Sequence, residues 1–308
     1  MNKLRGIEFD KAVGFDEPTQ LPRDEAQHRD WQAANREWWE ARPMRYDWRE
    51  EIATTPGTLE FFREVDRRFL SSVRSYMPWR TLPFDQIIPF ETLHERDVLE
   101  IGVGQGTHAQ LLASQCRLFI GIDLTAYATR MTARRLLLTK LPRTIVQMDA
   151  ERLAFADASF DYIWSWGVIH HSADTRRVLR EMHRVLRDKG ECTIMVYYRS
   201  WWHFYVCGFF RGIFQDQFRK RGSLHHVTQG ATDGAIARYY SQAAWREAMS
   251  GLFAVESARI FGQKAEIVPI PGGRLKRLLE RVIPDRLARL MTNTLQMGSF
   301  LVVNMRKL

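Results

Sequence analysis

The stretch VLEIGVGQGTH, Val98 to His108, constrains this chain more than any other. An apolar run leads straight into glycines at 102, 104 and 106, and the helix-like THAQLLASQ follows. Glycines at such a junction let the backbone turn sharply and approach a ligand without a Cβ in the way, while the helix start offers unsatisfied N–H groups. The dinucleotide pattern GxGxxG is not met, because the third glycine comes one position early and Thr107 stands where that pattern has glycine. The loop therefore leans away from NAD, with a purely structural turn as the plain alternative.

The surrounding texture extends this reading. Short β-branched runs at 97–102, 118–123, 144–149, 161–166 and 191–198 alternate with helical patterns. That alternation predicts a mainly parallel, doubly wound α/β sheet with ligands at the carboxyl ends of its strands. Between the last two runs, Val178, Leu179, Met182, Val185 and Leu186 share one helical face, and Gly190 is expected to cap that helix. Residues 1–90 read as peripheral helices, with Leu59, Phe62, Val65, Phe69 and Leu70 forming an amphipathic stripe. After Tyr198 come an aromatic segment, the turn-rich GSLHHVTQGATDG, a helix at 241–249, a strand-like FAVESARIF, a basic helix pair from Arg274 and a final strand-like SFLVVNM. Without internal repeats or low-complexity linkers, the chain reads as a helical cap over 1–90 and one domain over 91–308 with insertions at 199–250 and 270–297. Cys116, Cys192 and Cys207 lack CxxC spacing and read as small apolar residues rather than disulfide or zinc ligands. The charged N-terminus lacks the apolar centre of a signal peptide, so a cytoplasmic location is expected.

Two acids turn the loop into a candidate site. Asp123 ends the second strand, where a carboxylate can accept both hydroxyls of a ribose. Asp149 ends the third, where a carboxylate can accept from an exocyclic amine. Either alone reads equally as a cap or a solvated turn residue, but all three strand ends together resist that explanation. VLEIGVGQGTH, GIDLT, MDAERLAFADASFD and SWGVIHH resemble the class I S-adenosylmethionine-dependent methyltransferases, in particular the small-molecule branch that includes quinone-type C-methyltransferases. The resemblance runs from Asp97 to about Tyr198. It implies a Rossmann-like seven-stranded sheet, mostly parallel with an antiparallel last strand at SFLVVNM, to which N-terminal helices and helical insertions are added. It implies S-adenosyl-L-methionine as cofactor, with Glu100, Gly102, Gly104 and Gly106 bordering the methionine part. By the same resemblance, Asp123 takes the ribose hydroxyls, Leu124 lies against adenine, Asp149 and the Ala150 amide read the adenine edge, and Ser165 and Trp166 face the methionine end. Where that family often has proline, this chain has Ala154.

Methyl transfer from a sulfonium is an in-line displacement that asks for alignment, exclusion of water and, for some acceptors, a base. No metal follows from it. His170 and His171 are the first candidates for a base, with packing or capping as the alternative; His225 and His226 come second, with a solvated loop as theirs. Adjacent histidines without acidic or cysteine partners at ligand spacing do not make a metal site. Trp38, Trp39, Tyr46 and Trp48 form either a lid or ordinary packing. Tyr46 is the candidate there for the cofactor site, because a phenol can contact a carboxylate while its ring covers the site.

The net charge of +9 is concentrated in two segments, 199–222 and 272–292, each +4. SWWHFYVCGFFRGIF has too short a stretch free of Arg and Lys to span a bilayer, which needs roughly 20 residues. Its aromatics suit an apolar acceptor pocket or a lipid interface. In RLKRLLERVIPDRLARLM, Leu275, Leu278, Leu279 and Val282 fall on one face and Arg274, Lys276, Arg277 and Arg281 mostly on others, with Pro284 kinking or restarting the helix. Such a helix either contacts a membrane or partner or packs on the sheet with a solvated basic face. The favoured expectation is a methyltransferase for a small lipophilic acceptor, by C- or O-methylation, with peripheral membrane contact through 200–222 and 274–291. A nucleic-acid methyltransferase using the basic surface, or a non-catalytic S-adenosylmethionine-binding protein, are the alternatives. The basic residues are mixed with bulky aliphatics, and neither an Asn/Asp-Pro-Pro-Tyr/Phe signature nor a separate RNA-binding module is seen, which argues against nucleic acid.

Overall fold

A computed structural model describes residues 17–47, 50–142, 144–270 and 273–308, so Trp48 and most of the charged N-terminal stretch lie outside the described residues. Along the chain run α1 (Glu25–Ala41), α2 (Leu59–Tyr76), α3 (Phe90–Leu93), β1 (Asp97–Ile101), α4 (Thr107–Ala113), β2 (Leu118–Asp123), α5 (Ala126–Leu138), β3 (Ile145–Gln147) and β4 (Phe160–Trp166). These are followed by α6 (Thr175–Val185), β5 (Leu186–Tyr197), α7 (Gly208–Phe214), α8 (Gln217–Arg221), α9 (Leu224–Gln229), α10 (Gln242–Ala248), β6 (Phe253–Phe261), α11 (Arg274–Val282), α12 (Asp285–Arg289) and β7 (Phe300–Lys307). The seven strands form one sheet in the order β3-β2-β1-β4-β5-β7-β6. All neighbours are parallel except β7, which runs antiparallel to both β5 and β6.

Strand periodicity assigns the side chains to two cores. Val98, Tyr162, Trp164, Met195 and Val302 pack beneath α2, α4 and α5, whereas Leu99, Ile163, Ile194 and Leu301 pack against α6 and α10. Because β1 has β2 on one side and β4 on the other, the winding reverses between β1 and β4, and the loops that follow these strands diverge around a crevice.

Three local expectations are corrected. Helix α6 stops at Val185 rather than at Gly190: Leu186 is already extended and pairs with Phe160, and Gly190 lies inside β5. The turn-rich stretch after Gly222 contains α9, started by the Ser223 hydroxyl accepting from the His226 amide at 3.1 Å. Helix α2 is not peripheral, since Val65 and Val73 are completely buried and Phe69, Val73 and Tyr76 belong to the core beneath the sheet.

One buried cation ties this layer together. Arg135 of α5, 2% exposed, places Nη2 2.5 Å from Asp66 Oδ2 of α2, Nε 2.8 Å from Gln110 Oε1 of α4 and Nη1 3.3 Å from the Gln105 carbonyl of the glycine loop. Removing one partner of a buried pair leaves an uncompensated charge, which costs about 3–5 kcal/mol. Asp66→Ala should therefore lose roughly that much stability in urea unfolding, and Asp66→Asn less; a loss below ~1 kcal/mol for Asp66→Ala would contradict this role.

Candidate active site

A cavity of about 1800 Å³ opens at the carboxyl ends of β1, β2, β3 and β4, extending from α1 to α11. Its floor is the glycine loop, where Gly102, Gly104 and Gly106 have φ of 83°, 53° and 79°. A Cβ on Gly102 would lie 2.2 Å from Val168 Cγ2, so the loops after β1 and β4 touch through this glycine. A Cβ on Gly104 would project into open space, so that the bare backbone leaves a cradle beside Asp123. Gly106 instead abuts Thr132 and Arg135, and its role is to begin α4 against α5.

The acids at the strand ends differ in how they are held. Asp123 accepts from the Gly104 amide at 3.2 Å through Oδ2, and from the Thr125 amide and hydroxyl at 3.0 and 2.8 Å through Oδ1. Burial outweighs these bonds and raises its pKa above the usual carboxylate value. Asp149 accepts from the Glu151 amide, and both its oxygens lie 2.9 Å from the Gln32 side-chain nitrogen. Leu124, Ala150, Trp166, Tyr46 and His171 also line the cavity.

Four expected site residues stand back from the wall: Glu100, Gly106, Ser165 and His170. Glu100 is 1% exposed, its Oε1 3.9 Å from Nδ1 of His108, which lines the cavity, and its Oε2 has no hydrogen-bond partner. Desolvation first, and then the nearby Asp123, push its pKa well up. Ser165 is fully buried and donates to the Ile101 carbonyl, because alternate residues of β4 face opposite sides and Trp166 takes the open one. His170 is fully buried against Tyr197, and burial holds its pKa well below the ordinary histidine value.

His171 remains at the wall, edge-on to Trp39 at 5.0 Å, with Nδ1 bonded to the Ile236 carbonyl. That bond requires the proton on Nδ1 and leaves Nε2 with its lone pair. Burial lowers the pKa to about 4, so the ring is neutral near pH 7, can accept a hydrogen bond and holds a proton poorly. His225 and His226 lie on α9 outside the cavity; His225 is buried among side chains rather than solvated.

The expected aromatic lid divides. Trp39 and Tyr46 line the cavity, Tyr46 stacked on Phe69 at 4.8 Å, while Trp38 is buried in packing under the Arg42 guanidinium. What covers the site is chiefly α1. It is tied down by Gln32 to Asp149, by His28 to Glu151 and by Gln32 Oε1 accepting from the Ala173 amide at 3.1 Å. Gln32 was invisible to motif reading, since nothing local distinguishes a glutamine that meets a strand end far along the chain. The same holds for Arg238, which is fully buried, donates to the carbonyls of Gln20, Ser172 and Ala173, and fixes the segment after His171.

Residues 99–194 match the family model described as a methyltransferase domain. That segment runs from β1 into β5 and so contains the glycine loop, Asp123 and Asp149. Among curated relatives, a "Probable S-adenosylmethionine-dependent methyltransferase" of Mycobacterium tuberculosis is 38% identical over 96 residues, 31% of this chain and 33% of the relative. A tRNA U34 carboxymethyltransferase of Methylococcus capsulatus is 26% identical over 175 residues, 49% of this chain and 53% of the relative. The chain thus spans about a third of the length of the first of these relatives and about half of the second. A chain from the complex between the Haloferax volcanii Trm112 methyltransferase activator and a methyltransferase superposes with a TM-score of 0.51, covering 86% of this chain and 98% of that one at 16% identity, a likeness of fold.

The buried carboxyl behind the glycine loop has a thermodynamic consequence. With the folded pKa of Glu100 raised, the folded chain keeps this proton above pH 4.5 while the unfolded chain releases it, so the group's contribution to stability falls as pH rises. Glu100→Gln should melt above the wild type near pH 7, with the difference shrinking toward pH 4; a constant difference across that range would contradict the assignment.

Proposed function

We propose that this chain transfers a methyl group from S-adenosyl-L-methionine to a small lipophilic acceptor, on carbon or oxygen, by in-line displacement. The observation that carries the reading is the arrangement of Asp123, Asp149 and the bare Gly104 backbone on one wall of a cavity that continues into an aromatic chamber. Once bound there, the sulfonium supplies a methyl group already activated for displacement. The chain's residues have the remaining tasks. Asp123 keeps lone pairs for two ribose hydroxyls, Leu124 offers an apolar face to the adenine, and the Ala150 amide with Asp149 meets its edge. For Asp149 to accept from the adenine amine, Gln32 has to yield or share one carboxylate oxygen, so α1 and the cofactor meet at the same group. Gly102, Gly104 and Trp166 border the methionine end, and Glu100 supports the loop from behind.

Beyond that end, Trp39, Trp166, Tyr197, Tyr239 and Phe300 line the chamber and favour an apolar acceptor from which water is excluded. His171 would orient such an acceptor through Nε2 rather than store its proton, given its low pKa. A second reading, transfer to RNA, draws on the similarity to the tRNA U34 carboxymethyltransferase. Against it, the basic segments carry exposed aliphatic and aromatic side chains that phosphates would leave uncovered.

Calorimetry with S-adenosylmethionine on the wild type and Asp123→Ala tests the reading. Losing hydrogen bonds to a charged acceptor is worth about 1.5–3 kcal/mol, so the variant should bind roughly ten to a hundredfold more weakly. Unchanged affinity in Asp123→Ala, or equally tight binding of NAD by the wild type, would overturn it.

A further inference from the structure

Helix α11 is turned the wrong way round for an ordinary surface helix. None of its residues is buried, and its apolar side chains Leu275, Leu278, Leu279 and Val282 are 63%, 57%, 38% and 70% exposed. Its polar side, with Lys276, Arg277, Glu280 and Arg281, lines the outer end of the cavity. An amphipathic helix in a soluble domain normally buries its apolar stripe and hydrates its charges. Here Lys276 and Glu280 are half-buried at the cavity, Arg274, Arg277 and Arg281 are exposed, and the stripe faces out as well, so α11 does not pack its apolar side on the sheet as one expectation had it.

The aromatic segment adds to the same side of the molecule. Phe209, Phe210, Ile213 and Phe214 of α7 are 53%, 41%, 53% and 74% exposed. The two insertions adjoin: Trp201 Nε1 donates to the Leu295 carbonyl at 2.9 Å, Trp202 Nε1 to the Glu266 carbonyl at 3.0 Å, and Arg211 and Lys276 both lower the pKa of His203. Around these apolar faces lie the two segments that carry nearly all the net positive charge of the chain. Exposed aliphatic and aromatic side chains ringed by Arg and Lys match the interfacial zone of a bilayer with anionic headgroups. A second copy of the chain would bring two such basic patches together, and RNA would satisfy the cations while leaving the apolar faces in water.

We propose that α11 and the 201–214 segment dock on an anionic lipid bilayer. Docked in this way, the outer end of the cavity, walled by the polar side of α11, faces the headgroups. The inference goes beyond methyl transfer and stands apart from it, because lipid binding and cofactor binding are read separately.

The test uses the full chain with phosphatidylcholine vesicles, with and without phosphatidylglycerol, followed by sedimentation. Binding should be at least about tenfold stronger on the anionic vesicles and weaken with added salt. The double variant Leu278→Asp and Val282→Asp should lose about tenfold or more of that binding while keeping the wild-type melting temperature and S-adenosylmethionine affinity. Replacement of the same residues by Ala should give an intermediate loss if apolar insertion is the cause. Three results would each overturn the proposal: no preference for anionic vesicles, equal binding by the Asp variant, or a wild-type dimer at working concentration that the Asp variant abolishes. A failure of cofactor binding in the same preparations would count against the methyltransferase reading alone.

Discussion

The contact between Gly102 and Val168 is the constraint on which the rest of the site depends. A parallel sheet that reverses its winding leaves a crevice between the loops of its two central strands, and that crevice is where a ligand can bind. Here the loop after β1 is drawn against the loop after β4 so closely that any side chain at position 102 would collide with Val168. The contact sets the height of the floor. It puts the Gly104 amide on Asp123, turns Trp166 toward the cavity and leaves Glu100 sealed beneath the loop between Gly121 and Trp164 of the neighbouring strands. The outer layers then serve to hold that floor, and Arg135 does so by joining α5, α4, α2 and the loop through one guanidinium.

Electrostatics at this floor runs against the ordinary preference of charges for water. Glu100 and Asp123 are both pushed toward their protonated forms by burial, and His108, His170 and His171 toward their neutral forms. The charge that stands closest behind the glycine loop is the Arg135–Asp66 pair. Cationic side chains line the cavity farther out, Arg67 and Arg68 of α2, Lys264, and Lys276, Arg277 and Arg281 of α11.

Much of the frame was legible because it is local. Seven strands alternating with helices, the glycine loop and the two strand-end aspartates each declare themselves within a few residues, through periodicity or through a backbone that needs glycine. What escaped depends on partners distant along the chain. Gly190 has the composition of a helix cap, yet Leu186 is claimed earlier by its pairing with Phe160, and tertiary pairing prevails over local propensity. Ser165 and Trp166 adjoin in sequence, but the pleat sends only Trp166 to the cavity. The covering role of α1 rests on Gln32, an unremarkable residue until Asp149 is folded beneath it. For α11 the amphipathic pattern was plain, whereas its direction was settled only by the fold.

The central claim is that the strand-end aspartates and the glycine loop hold the cofactor, with Gln32 of α1 in contention for one of them. A crystal structure of the chain with S-adenosylhomocysteine tests this most directly. The account predicts ribose hydroxyls on Asp123, the adenine amine on Asp149, and Gln32 released from at least one Asp149 oxygen. A ligand bound away from Asp123, with the Gln32–Asp149 pairing intact and the glycine loop untouched, would contradict it.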